Sequence, residues 1–244
     1  MIQGVVLLHD ARNGRLLALL DAEHLTAMRT GAASGVATNY LARAAAATVT
    51  IFGAGAQASA QLEAVCAVRP VRQVYVVTRT GSKDDDFCRA MSAKLAVPCI
   101  PSRDPRQAVA AADILCTATN ASTPLFDGSW VKPGAHINAV GAYTTRMREL
   151  DTTLVKRSRV FVDHHPAAGA EAGDLQIPIA NGELSYDHVA GSLGELLTGK
   201  VAGRRTAEEI TLFKSVGLAM QDAVTAAHVY RRALEEGAGR VIKL

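Results

Sequence analysis

The chain has 244 residues, 49% of them hydrophobic and 20% charged, a composition that excludes a disordered or low-complexity protein and suits one large or two small domains. The formal net charge is +3, with both signs interspersed and no basic block, so no nucleic-acid partner is expected. No apolar run approaches the roughly 18 residues of a membrane span and no leader opens the chain, so no membrane partner is expected either. Cys66, Cys88, Cys99 and Cys116 have no metal or C-x-x-C spacing, and they read as free thiols of a cytoplasmic protein.

In chain order, apolar runs at 5–8 and 16–20 flank Asp10-Ala-Arg-Asn13-Gly14, and Asn-Gly favours the positive φ angles of a hairpin turn. From Thr26, a candidate N-cap, the residues Ala33, Val36, Ala37, Tyr40 and Leu41 recur at helical spacing. Strands are predicted at 48–52, 73–77, 97–100, 113–117, 136–140 and 159–162. Helices are predicted at 57–68, 85–95 and 105–111, the last with Asp104 as N-cap and Pro at its first position. Residues 182–205, with five glycines, are expected to be largely irregular. Thr206-Ala-Glu-Glu209 reads as a capping box opening a long helix through Ile210, Phe213 and Gly217 to Gly237. The expected fold is α/β: a Rossmann-type, doubly wound parallel sheet over residues 43–205, with a partial second lobe built from 1–42 and 206–244, that is, the N-terminal hairpin and the C-terminal helix.

The junction Thr48-Val-Thr-Ile-Phe-Gly-Ala-Gly-Ala-Gln-Ala58 carries the main functional signal. A β-branched strand runs into Gly53-x-Gly55-x-x-Ala58, where Gly53 makes a tight turn, Gly55 lets backbone approach a pyrophosphate, and Ala58 lets helix and strand pack closely. The helix start at Ala56 and Gln57 then aims unpaired N–H groups at the anion, so Gly53, Ala54, Gly55, Ala56 and Gln57 are assigned to a dinucleotide. Thr78, Arg79 and Thr80 end the next strand, where an NAD-specific protein carries an acid for the ribose 2′-OH. Arginine with two hydroxyls suits a 2′-phosphate instead, so NADP(H) is favoured over NAD(H). Thr117 and Thr119 follow the fourth strand at the edge where open α/β sheets bind ligands. Asp163-His164-His165 invites a metal, but adjacent residues on a strand point to opposite faces, so no metal is expected.

Four segments, taken together, resemble the ornithine cyclodeaminase/mu-crystallin family. They are Leu25-Thr-Ala-Met-Arg-Thr-Gly-Ala-Ala-Ser34, Gly53-Ala-Gly-Ala-Gln57, Val140-Gly-Ala-Tyr-Thr-Thr-Arg-Met-Arg-Glu-Leu-Asp151, and Phe213-Lys-Ser-Val-Gly217 with Asp222. Glu171-Ala-Gly-Asp174, Gly194-Glu-Leu-Leu and Gly199-Lys200 fit the same pattern. The resemblance implies that Arg29 reaches the carboxylate of a small amino or imino acid, that Val140 lies at the cofactor, that Ser215 lies near the nicotinamide carboxamide, and that the protein is a homodimer. Tyr143 stands where the family's cyclodeaminases carry an aspartate, which tilts the expectation toward an NAD(P)-dependent imine or ketimine reductase of amino-acid metabolism. The alternatives are an NAD-recycling, ammonia-releasing ornithine cyclodeaminase and a non-catalytic NADP(H)-dependent ligand-binding protein. Family members also carry a segment before the counterpart of Ile2-Gln-Gly-Val-Val-Leu-Leu8, with an arginine and a lysine for the substrate. Without it the expectation is a chain that binds cofactor, reduces imino acids slowly or not at all, and self-associates through its hairpin; no proton donor or other catalytic residue is assigned.

Overall fold

Alternation along each strand dictates the layers. Val49 and Ile51 point to one face of the sheet and Phe52 to the other; Ile114 and Cys116 oppose Leu115, and Phe213 opposes Leu212. Strands with two apolar faces need cover on both, and the computed structural model, which describes residues 4–81 and 84–242, supplies it with helices on either side. Residues 1–3, 82–83 and 243–244, which include the ends of the expected 1–42 and 206–244 lobe, lie outside the described residues.

The chain divides into two compact units, Thr30–Gly217 and Met1–Arg29 with Leu218–Leu244. The larger is an eight-stranded sheet: β3 (Thr48–Phe52), β4 (Gln73–Val77), β5 (Cys99–Pro101), β6 (Ile114–Thr117), β7 (His136–Ala139), β8 (Ser158–Val162), β9 (Val189–Ser192) and β10 (Ile210–Lys214). Their order is β5-β4-β3-β6-β7-β10-β8-β9, and every ladder is parallel. Helices α2 (Ala56–Val68) and α3 (Asp84–Leu95) pack on Val49, Ile51, Val74 and Val76. On the opposite face α4 (Pro105–Ala111), α5 (Thr152–Arg157), α6 (His165–Glu171) and α7 (Gly173–Ala180) cover Phe52, Leu115, Ile137 and Leu212. The expected doubly wound sheet is borne out.

The smaller unit pairs β1 (Val5–His9) with β2 (Leu16–Asp21) in an antiparallel hairpin, Leu7 opposite Leu19, with Gly14 at φ +75° in the turn. The C-terminal helix α9 (Ala219–Glu236) packs on both strands. Val5, Leu7 and Leu19 are exposed on one face of the hairpin. The unit boundary falls inside α1 (Ala22–Leu41).

Three expected elements are corrected. Thr26 does not cap α1, which begins at Ala22, because Asp21 Oδ1 already accepts from the His24 N–H at 2.8 Å. Residues 182–205 are not largely irregular, since 186–197 are ordered: a 3-10 turn over Tyr186–His188 leads into β9, and α8 (Leu193–Leu197) follows with a full capping box between Ser192 and Glu195. The largest correction is at 206–217. The Glu209 N–H does reach Thr206 Oγ1 at 3.2 Å, but the Glu209 carboxylate turns to the Arg205 N–H at 2.8 Å, closing a turn rather than opening a helix. Ile210 to Lys214 are all buried in a strand between β7 and β8, and the helix starts only at Ala219 before ending at left-handed Gly237. Pairing on both edges outweighed a local helical period.

α1 and α2 approach closely at Gly31, where an added Cβ would lie 2.5 Å from the Ala60 carbonyl oxygen. Gly31→Ala is therefore expected to cost about 1–3 kcal/mol by overpacking, while Gly194→Ala, which meets nothing within 4 Å, is neutral or slightly stabilising. Urea midpoints of the two variants check this contrast.

His136 is fully buried, its Nε2 3.2 Å from Asn138 Oδ1 and its Nδ1 3.0 Å from Thr211 Oγ1. Burial pushes its pKa from 6.5 down to about 3, helped by the Arg204 charge, so the folded chain holds it neutral. The unfolded chain takes up a proton first as the pH falls below 6.5, so stability is present above that pH and is lost toward pH 3. The slope due to this group is at most about 1.4 kcal/mol per pH unit, and urea titrations of the protein and of His136→Asn should show it in the first and not in the second.

Candidate functional site at the carboxyl edge of the sheet

Parallel strands end on one edge, so Gly53, Thr78, Thr117, Val140, Asp163 and Ser215 share that edge of the larger unit. The chain leaves β3 for β4 on one side and returns to β6 on the other, which makes the crevice between β3 and β6 the switch point where open α/β sheets take ligands. Gly53 adopts φ +112°, and a Cβ there would lie 2.6 Å from the Ala118 carbonyl oxygen, so only glycine fits. Gly55 precedes α2, and a Cβ on it would meet nothing within 4 Å. No side chain caps α2. Open space over Gly55 and an uncapped helix start are what a pyrophosphate requires, so the residues present fit a dinucleotide. Ala56 is exposed beside them, and Gln57 Oε1 is buried without a hydrogen-bond partner among the described residues.

At the end of β4, Thr78 Oγ1 donates to Asp84 Oδ1 at 2.5 Å and accepts from the Gly81 N–H at 3.0 Å. Arg79 and Thr80 are exposed at the tip of this turn. Val140 is nearly buried, with its N–H on the Thr117 carbonyl oxygen at 3.0 Å. Thr117 is fully buried, so it lies beneath the edge rather than lining it, whereas Thr119 is partly exposed.

Both threonines are held by a residue the sequence reading quoted but gave no role. Glu149 is fully buried; its Oε1 accepts from the Thr119 N–H at 2.7 Å and Thr119 Oγ1 at 2.8 Å, and its Oε2 from Thr117 Oγ1 and the Gly141 N–H, each at 2.8 Å. Four donors fill a carboxylate's acceptor sites. Burial pushes the Glu149 pKa up, and the nearby Lys214 charge pulls against it. The Glu149 and Leu150 N–H groups in turn donate to Asp174 Oδ1 at 2.7 and 2.9 Å, while Asp174 Oδ2 faces the Lys214 ammonium at 3.0 Å. Lys214, fully buried at the end of β10, also donates to the Ala139 carbonyl oxygen at 3.2 Å. This network ties the ends of β6, β7 and β10 together. Gly141 has no room for a side chain, since a Cβ would lie 2.3 Å from Glu149 Oε1.

Ser215 lies in the β10–α9 connection, not within a helix as expected. Its hydroxyl donates to Asp163 Oδ2 at 2.9 Å, and the same oxygen accepts the Val216 and Gly217 N–H groups at 2.9 and 2.6 Å. Asp163 thereby shapes the turn that presents Ser215. His165 pairs with Glu195 Oε2 at 3.0 Å, and no group of three or more possible metal ligands occurs among the described residues. Burial raises the thiols of Cys66, Cys88 and Cys116 to about 11, 12 and 12, as for packed, unreactive cysteines.

In the smaller unit, Arg29 sits in the third turn of α1 rather than the first. Its Nε donates to Asp222 Oδ1 and its Nη1 to Gln221 Oε1, both at 3.0 Å. Among the described residues only Nε and Nη1 are seen to donate, so the guanidinium is fixed with donor capacity to spare. Tyr143, in the connection after β7, is half exposed.

Residues 1–237 match the ornithine cyclodeaminase/mu-crystallin family. The chain belongs to this family. It is 44% identical over 243 residues to a Δ1-pyrroline-2-carboxylate reductase of Bacillus cereus, covering 99% of this chain and 74% of that protein. The structure of Thermococcus litoralis Δ1-pyrroline-2-carboxylate reductase in complex with NADH and L-proline superimposes with a TM-score of 0.95 at 42% identity, covering 98% of this chain and 74% of that one. An archaeal alanine dehydrogenase dimer with bound NAD gives a TM-score of 0.93 at 32% identity, covering 99% and 74%.

Glu149→Gln keeps one acceptor oxygen and turns an amide toward two of the four donors. It is expected to lower stability by about 2–4 kcal/mol, read as a shift in the urea midpoint, and to raise amide exchange at Thr119 and Gly141.

Proposed function

We propose that the protein is a nicotinamide-dependent imine reductase that acts on a small cyclic imino acid, Δ1-pyrroline-2-carboxylate being the leading candidate. The observation that carries this reading is the 44% identity to a reductase of that name across nearly the whole chain. A bound nicotinamide nucleotide supplies hydride to the imine carbon; with a proton added at nitrogen, the product is the cyclic amino acid. The chain's own contribution is binding and orientation. Gly53, Ala54, Gly55, Ala56 and Gln57 hold the pyrophosphate, and Thr119, Val140 and the Asp163-braced Ser215 turn form the nicotinamide side, with Thr117 fixing Thr119 through Glu149. Arg29, steadied by Asp222 and Gln221, takes the substrate carboxylate in a forked contact.

Cyclodeamination is the second reading, and Tyr143 speaks against it because a phenol at neutral pH does not act as a carboxylate base. A binding protein without turnover is the third. Of the expected 1–42 and 206–244 lobe, the parts in the smaller unit are proposed to serve substrate binding and dimerisation, while 43–205 serves cofactor binding together with β10 and Ser215, which the sheet takes in; the exposed row Val5, Leu7 and Leu19 supports self-association. A reducing, cytoplasmic setting fits the four free cysteines.

We further propose that NADPH is preferred over NADH, since no acid occupies position 78 or 79 and Arg79 is exposed just past the end of β4. A charge-assisted contact is worth about 1.5–3 kcal/mol, or roughly ten- to hundredfold in affinity. Arg79→Ala is expected to weaken NADPH by that order and to leave NADH nearly unchanged by calorimetry. NADPH oxidation on addition of Δ1-pyrroline-2-carboxylate, with proline as product, tests the reaction; cofactor binding without turnover on any cyclic imino acid would favour the binding-protein reading.

A further inference from the structure

Gly81 follows Thr80 directly and has φ +69°, and a Cβ built on it would lie 1.4 Å from Arg103 Nη1 and 2.5 Å from Arg103 Cζ. The guanidinium of Arg103 thus occupies the space where a side chain at position 81 would project. Arg103 comes from the connection between β5 and α4, and β5 runs parallel to β4 as its neighbour, so both connections leave the same edge. Its one ionic partner among the described residues is Asp84, whose Oδ2 lies 4.0 Å from Nη1. That distance is beyond a hydrogen bond, so the carboxylate steers the guanidinium without consuming its donors. Asp84 is itself 1% exposed and committed to Thr78 through its other oxygen. The Arg103 side chain is 67% exposed, in line with its donors being open to solvent.

We propose that Arg103 is a second specificity-determining residue for the cofactor, forming with Arg79 a two-guanidinium subsite for a phosphate monoester, the 2′-phosphate of NADP(H). A phosphate monoester near neutral pH carries between one and two charges and three acceptor oxygens, enough for two forks at once, whereas a ribose hydroxyl engages neither strongly. Gly81 is the backbone condition for this pairing, because any side chain there would push Arg103 away from the turn that carries Arg79. The inference rests on the reading of Thr78, Arg79 and Thr80 as the ribose end of the cofactor site.

The test is calorimetric titration of the full chain and of Arg103→Ala, Arg103→Lys and Arg79→Ala with NADPH, NADH, adenosine 2′,5′-bisphosphate and adenosine 5′-monophosphate. Arg103→Ala is expected to weaken NADPH and the bisphosphate roughly tenfold and to leave NADH and the monophosphate unchanged, with Arg103→Lys in between. If Arg103→Ala retains the preference while Arg79→Ala loses it, the Arg103 inference falls and the ribose-end reading stands. If the unaltered chain does not prefer NADPH to NADH, both fall together. Equal weakening of all four nucleotides in Arg103→Ala would make the residue a support for the turn and would likewise overturn the inference.

Discussion

The carboxyl edge of the large unit depends on a single buried charge whose acceptors are all filled. Isolated in an apolar interior, Glu149 would destabilise the fold; with four donors around it, it becomes the joint between β6 and β7. That joint sets the path of the Thr119 backbone, which in turn presents the Ala118 carbonyl to Gly53 and narrows the crevice to glycine width. Asp174 and Lys214 extend the network by an ion pair, each also tied to backbone, Asp174 through Oδ1 and Lys214 through the Ala139 carbonyl oxygen. A sheet edge meant to seat a ligand must stay open, and here rigidity comes from underneath it.

The parts of this arrangement legible in the sequence were the local ones. Gly53 and Gly55 stood out because the strand before them and the helix after them have unlike periodicities. Asp104 with Pro105 marked a helix start, and Asn13-Gly14 a hairpin, because each acts on its own few residues. β10 is not legible locally because Ile210, Phe213 and Gly217 satisfy a helical spacing, and only partners some 50 to 75 residues away in sequence make the segment a strand. Lys214 and Glu149 were quoted within motifs yet given no function, because a charged residue beside apolar ones reads as surface until its burial is known. The signal was present in Ile210-Thr-Leu-Phe-Lys, where a lysine closes an otherwise apolar strand.

The two ends of the chain obey a different constraint. Arg29 and Asp222 lie almost 200 residues apart, yet the guanidinium of one is fixed by the carboxylate of the other. A mostly buried arginine held at two of its nitrogens keeps one orientation, with little rotamer freedom left in its side chain. The smaller unit therefore fixes one cation between segments that a linear reading treats as unrelated.

The place of β10 bears on how the molecule is made. It is the last strand to be synthesised, yet it lies inside the sheet, between β7 and β8, while β9, made before it, takes the edge. Without β10 the strands fall into a group of five and a group of two, whose facing edges have unpaired N–H and C=O groups. Such edges are open to wrong partners, and closing them waits on a segment that must enter a gap rather than add to a rim. Sheet closure then depends on residues 210–214 and is a late event that a chain stopped short of residue 214 never reaches.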